Sequence, residues 1–125
     1  MKFTIPVRTY SEQNLREHWA RRAQRATAQR TLAKVLVARS ILDQGCHPVA
    51  PVILPAKPWR IVLTRIGKKR LDTGNNPGSL KHVQDGICDA LGIDDGDEAN
   101  DWIYRQRIAK EYAVEVEITT MGAIE

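Results

Sequence analysis

Apolar residues recur along this chain with two periods, and each change of period marks an element. Lys2 to Val7 alternates apolar and polar positions before Arg8, which predicts a first strand closed by a polar loop. From Ser11 or Asn14 to Gln44 there is neither Gly nor Pro, and Asn14-Leu15-Arg16-Glu17 has the spacing of a capping box, so a long helix is expected. Leu15, Trp19, Ala23, Ala26, Leu32, Val35, Leu36 and Leu42 mark a drifting apolar stripe, with Arg16, Arg21, Arg22, Arg25, Arg30, Lys34 and Arg39 largely off it. One face of this helix belongs to the core and the other is basic. Gly45 ends it, and Pro48, Pro51, Pro55 and Pro58 make the following residues an extended crossover.

Trp59 to Ile66 is rich in β-branched and apolar residues and reads as a central strand. A loop follows, Thr73-Gly74-Asn75-Asn76-Pro77-Gly78, in which Asn76 is expected to cap a second helix with Pro77 at its first position. Leu80, Val83, Ile87 and Leu91 form the buried face of that helix, and Gly92 stops it. After the acidic stretch Asp94-Asp95-Gly96-Asp97-Glu98, Trp102, Tyr104 and Gln106 alternate with their neighbours. So do Tyr112, Val114, Val116 and Ile118, and the two runs predict a C-terminal hairpin. The expected fold class is α/β (α+β), one domain over residues 1–125. Its mixed sheet has about four strands, with a long N-terminal helix and a second helix after the acidic motif.

Composition narrows the class. At 125 residues, 42% apolar and 27% charged, the chain is an ordinary globule with room for one core. No stretch approaches the roughly 18 apolar residues of a membrane span. Met1 to Pro6 lacks the features of a secretory signal, so a reducing cytoplasm is expected, and Cys46 and Cys88 lie too far apart to suggest a disulfide framework or zinc ribbon. GxxxxGK[ST], GxSxG and GxGxxG are all missing, which argues against a nucleotide cofactor and serine-hydrolase chemistry.

Charge changes the picture more. Residues 1–70 carry 15 Lys and Arg against 3 Asp and Glu, whereas residues 71–125 carry 4 against 12. A basic half suits a polyanion and concentrated carboxylates suit a divalent metal, so a metal-using nucleic-acid enzyme would want both; a plain solvated surface is the bland alternative. Asp72 stands where a strand meets a loop, and Asp94, Asp95 and Asp97 stand where a helix meets a strand. Carboxylates on separate loops suffice for Mg²⁺ when substrate phosphate completes the shell, though an acidic turn explains the second group equally well. Lys81, Asp85 and Asp89 share one stripe of the second helix. There Lys81 could meet a phosphate or take part in surface pairing. His18, His47 and His82 read as structural or surface residues, and Trp19, Trp59 and Trp102 as core.

The ordered string Leu71-Asp72, Asn75, Leu80-Lys81, Val83, Asp85-Gly86 and Asp89-Ala90-Leu91-Gly92-Ile93-Asp94-Asp95-Gly96-Asp97 resembles the RusA family of Holliday junction resolvases, in its phage and prophage branch. Ser11-Glu12, Asn14, His18-Trp19, Thr64-Arg65 and the closing Val114, Val116 and Ile118 extend the likeness over nearly the whole chain. The resemblance implies a cytoplasmic homodimer that binds four-way DNA junctions and nicks them with Mg²⁺ or Mn²⁺. It implies Asp72, Lys81 and Asp95 as catalytic residues and Asp72 and Asp95 as metal ligands, with Asp94, or else Asp97 or Asp85, as the further oxygen donor the chain itself offers. DNA contacts would come from Arg65, Lys68, Lys69, Arg70, Asn75 and Lys81, with Arg21, Arg22 and Arg25 on the long helix. One position departs: Gly74 stands where the pattern has a second Asp, and Asn76 where an apolar residue is usual. Three readings therefore compete: an active junction endonuclease, a junction-binding protein without cleavage, and a metal-dependent phosphohydrolase of small molecules. The apolar Val49, Val52, Ile53 and Leu54 are a candidate dimer surface.

Overall fold

Trp59, Ile61 and Leu63 are buried on one side of their strand, and Val62 and Ile66 on the other. A segment apolar on both faces belongs in the middle of a sheet. In the computed structural model of the chain, which describes residues 1–10, 19–45 and 55–121 and the side chains of all these except 40–45, it does lie there. The elements run β1 (Lys2–Ile5), α1 (Trp19–Gly45), β2 (Trp59–Gly67), α2 (Asn76–Ser79), α3 (Lys81–Leu91), β3 (Asp101–Ile108) and β4 (Ala113–Thr120). The four-stranded mixed sheet has the order β1-β4-β2-β3. β2 pairs parallel with β3, Arg60 opposite Asp101 through Gly67 opposite Ile108, and antiparallel with β4, Trp59 opposite Thr120 through Ile66 opposite Ala113. β1 pairs antiparallel with β4. This is a single small α+β domain, as expected.

The hairpin expected between the last two strands is not formed. β2 separates β3 from β4, because β3 returns after the helical crossover parallel to β2 and the short link to β4 passes over the end of β2. Ala109 N–H donates to the Gly67 carbonyl at 2.9 Å and anchors that link.

Both long helices pack on the face carrying Ile61, Leu63, Val114, Val116 and Ile118. Ala33 and Val37 of α1 and Leu80, Val83 and Ile87 of α3 complete the core. At Gly86 the helices come so close that a Cβ would lie 2.2 Å from the Arg30 carbonyl oxygen and 2.7 Å from the Ala33 Cβ. The apolar stripe expected on α1 drifts further than its sequence suggests. Trp19 is 75% exposed and Val35 51%, while Gln29 is buried because its Nε2 donates to the Arg8 carbonyl at 3.1 Å. Of the three tryptophans, Trp59 is in the core, Trp102 packs against it and Trp19 does neither. The capping box at 14–17, the dimer candidate at 49–54, and His18 and His47 lie outside the described residues.

The second helix is broken. Gly78 and Ser79 are poor helix formers, and the Ser79 hydroxyl donates to the Asn76 carbonyl at 2.7 Å, so a short α2 ends before α3 starts at Lys81. The N-cap position is Asn75 rather than Asn76. Asn76 is instead buried, with Nδ2 donating to the Arg105 carbonyl at 3.1 Å, which ties α2 to β3. At the far end Gly92 adopts φ 68°, the left-handed conformation that stops α3.

Candidate functional site

α3 begins with Lys81, and the first-turn geometry of a helix brings residues four apart into reach. Lys81 Nζ stands 3.1 Å from Asp85 Oδ1. It also donates to Asp95 Oδ2, 14 residues on, because the loop after Gly92 folds back along the helix. The Asp95 carboxyl is held below the usual range, first by that hydrogen bond, and Lys81 is raised by the same contact. Asp89, expected on the same stripe, faces α1 instead. Arg30 grips it with Nε and Nη2 at 2.6 and 2.8 Å, which depresses the Asp89 carboxyl and raises the guanidinium. Cys88 lies between these carboxylates, its thiol pushed up to about 11 by burial and then by Asp95 and Asp85. A cleft of about 430 Å³ opens here, lined by Arg30, Asp85, Cys88, Asp89, Asp94 and Asp95.

Asp94 and Asp97 shape the loop. Asp94 Oδ1 accepts from Gly96 N–H, and Asp97 Oδ1 accepts from Ala99 N–H, both at 2.9 Å. These short local bonds are what an acidic turn makes.

Asp72 is exposed on the loop after β2, its carbonyl accepting from the Asn75 and Asn76 N–H groups at 2.9 and 3.1 Å. The loop is pinned from β3. The Gln106 amide accepts from Leu71 N–H and donates to the Leu71 carbonyl, each at 2.8 Å, so a side chain takes the part of a neighbouring strand. Beside it lies a second cleft of about 410 Å³, lined by Arg70, Thr73, Asn76, Tyr104, Arg105 and Gln106. Gly74 has open space round it and no positive φ.

The carboxylates are hard oxygen donors, chemically suited to Mg²⁺ or Mn²⁺. Their arrangement does not fit a resident ion. Among the described residues no three His, Cys, Asp or Glu side chains form a group that could hold a metal, so Asp72, Asp94 and Asp95 are not gathered round one point, and Lys81 already engages Asp95.

Of the cations expected at DNA, Arg21 and Arg22 are exposed on α1, and Lys68, Lys69 and Arg70 are exposed after β2. Asn75 is half-buried as the N-cap of α2. Arg65 is not on the surface. It is 7% exposed, with Nη1 donating to the Lys69 carbonyl at 2.9 Å and Nη2 to the Thr9 carbonyl at 3.3 Å, so it braces two loops from within. Arg25 is half-buried against the Tyr10 ring. Sequence reasoning missed Arg8, Tyr10 and Tyr112, whose rings and cations meet at this end of the sheet. The available signal was aromatic residues interleaved with a basic run. It missed Gln106 too, which no spacing distinguishes.

No family model matches the chain, and no curated protein matches it either. No helix among the described residues is long and apolar enough to cross a membrane.

Proposed function

We propose that the chain is a RusA-like endodeoxyribonuclease that binds and nicks four-way DNA junctions, acting as a cytoplasmic homodimer. The observation that supports it best is the ion pair between Lys81 and Asp95. These are two of the three residues that the resemblance makes catalytic, and they meet across 14 positions of sequence. The third, Asp72, sits on a loop braced by Gln106, next to a cleft flanked by Arg70 and Arg105, exposed cations without an ion pair among the described residues. A phosphate arriving there would meet fixed positive charge, and Lys81 can exchange a carboxylate for a phosphate oxygen without moving its backbone. Two symmetric nicks require two copies related by a two-fold axis. The resemblance makes Asp72 and Asp95 ligands of a divalent cation, but among the described residues no group that could hold such an ion is formed, so the support for this reading is the Lys81–Asp95 pairing and the cations beside Asp72.

A second reading is favoured by a specific observation: Gly74 replaces a motif carboxylate, and among the described residues no three acidic side chains form a group that could hold a metal. On that reading the chain holds junctions without cutting them. A synthetic four-way junction incubated with Mg²⁺ or Mn²⁺ decides. Paired nicks support the nuclease, junction-selective binding without nicks supports the second reading, and equal affinity for junction and linear duplex refutes both.

A further inference from the structure

Arg8 leaves the end of β1 and places its Cζ 4.3 Å from the Tyr112 ring centroid and 4.8 Å from that of Tyr10. Lys68 Nζ lies over the same Tyr112 ring at 5.7 Å, and Arg25 over Tyr10 at 5.2 Å. Arg65 is buried among the same groups, its pKa lowered by burial and by the charge of Arg8. Among the described residues neither Arg8, Lys68 nor Arg65 has a carboxylate partner. Gathering like charges is unfavourable, increasingly so where water is excluded. Aromatic faces offset part of that, but a cation–π contact engages the charge and leaves N–H donors free. Here the guanidinium of Arg8 donates no hydrogen bond among the described residues, although its position is fixed by two rings. Arg65 fixes the rest, since its bonds to the Thr9 and Lys69 carbonyls hold the segments that carry Arg8 and Lys68. Gly67 makes room, as a Cβ there would stand 3.2 Å from Arg65 Nη1 and 3.4 Å from the Tyr112 ring.

We propose that this cluster is a phosphate clamp, in which Arg8 and Lys68 grip one backbone phosphodiester of a DNA strand. The planar fork of Arg8 suits two phosphate oxygens, and Lys68 adds a point charge. Because Arg8, Arg25 and Lys68 already lie over the two tyrosine rings, the clamp recognises charge and not base identity. Lys68 and Asp72 share one loop and lie at most about 14 Å apart along an extended chain, so a strand held here passes within a few nucleotides of Asp72. The clamp rests on the DNA-binding reading of the chain, not on whether the chain cuts.

The test measures affinity of the full chain for single-stranded homopolymers, duplex and four-way junction at several salt concentrations, for wild type, Arg8→Gln, Arg8→Lys, Lys68→Gln and the variant combining Arg8→Gln with Lys68→Gln. Because the two cations share one phosphate, Arg8→Gln and Lys68→Gln should each lower the slope of log affinity against log salt in part, and the two together by one phosphate's worth, about 0.7 on single strands and about 0.9 on duplex. For the two together that is about a 3.5-fold smaller loss on duplex between 50 and 200 mM salt. Arg8→Lys should retain the slope and still bind more weakly. The loss should be equal on oligo-dT, oligo-dA and oligo-dC. A wild-type slope in Arg8→Gln, or a loss confined to one base, overturns the clamp. If the slope falls as expected while wild type shows no junction preference, the clamp stands and the junction reading fails. Should Arg8→Gln not fold, the Arg8 Nε–Hε resonance of wild type titrated with oligo-dT decides: a shift supports the clamp and an unmoved signal overturns it.

Discussion

Gly86→Ala tests the closest approach in the molecule. The added Cβ would stand 2.2 Å from the Arg30 carbonyl oxygen, 2.7 Å from Ala33 Cβ and 3.0 Å from Lys34 N, where ordinary contact begins at 3.4 Å. Two of these three atoms are backbone of α1, so no rotamer relieves the overlap and the helices must part by about 1 Å. Overpacking of this kind costs about 1 to 3 kcal/mol, and a gap of that size forfeits a quarter to a half of each dispersion contact among Ala33, Val37, Val83 and Ile87. Alanine returns about 1 kcal/mol in helix propensity. The expected net loss is about 2 kcal/mol, which for a chain of this size lowers Tm by about 8 °C. Urea titration followed by tryptophan fluorescence and circular dichroism would measure it, with Gly74→Ala as control. Nothing lies within 4 Å of a Cβ at Gly74, so that variant should stay within about 0.5 kcal/mol of wild type. A Gly86→Ala protein as stable as wild type would refute the argument that α1 and α3 touch backbone to backbone.

Gly74→Asp restores a motif carboxylate in open space without positive φ, so it should fold normally and speed junction cleavage by up to about a hundredfold, about 2.7 kcal/mol of barrier; an unchanged rate on well-folded protein refutes the role assigned to that position. Lys81→Ala should reduce cleavage by about 10² to 10³ while junction affinity and stability change little, and wild-type rates would remove Lys81 from the chemistry. Asp95 and Asp89 have depressed carboxyl values, so their stabilisation is present above about pH 4 and lost as pH falls through the folded values. Lys81 is raised, so its contribution is present below about pH 10 and lost as pH climbs through its folded value. A Tm profile of Lys81→Met should accordingly show a shallower fall on the acid side than wild type. Cys88, with its thiol near 11 and its side chain buried, should resist a thiol-specific reagent at pH 7.5 in a Cys46→Ser background until urea unfolds the chain; rapid labelling would contradict its burial.

Local chemistry made several elements readable and left their partners unread. The 3, 4, 4 spacing of Leu80, Val83, Ile87 and Leu91 located the apolar face of α3, and Gly92 marked its end, because helix period and the left-handed stop are properties of the segment itself. Strand order is not. Alternation in β3 and β4 is the same whether they pair with each other or flank β2, and only the apolar composition of both β2 faces hinted at the answer. Trp19 shows the limit of a stripe, since a helix that drifts from the core exposes whatever lies at its end. In the candidate site, Lys81 beside Asp85 follows from i,i+4 geometry. Lys81 beside Asp95 depends on how a loop folds back, which spacing does not encode. Arg65 was misplaced because a charged residue in a strand reads as surface unless its carbonyl partners, here on Thr9 and Lys69, are known.

The strand order also dictates when the sheet can close. β1 is made first but pairs only with β4, where Ile118 N–H donates to the Met1 carbonyl and the Met1 ammonium donates back to Ile118, across 117 positions. At about 5 to 20 residues per second, a ribosome leaves β1 waiting about 6 to 23 s for its partner, while β2 acquires β3 first. During that interval β1 is an unpaired edge, and its makeup is suited to the delay. It is four residues long, and the charged Lys2 and polar Thr4 break its apolar run, leaving little to template association with another nascent chain. Completion of the sheet therefore waits for β4, and the first strand to be made is joined by the last of the four.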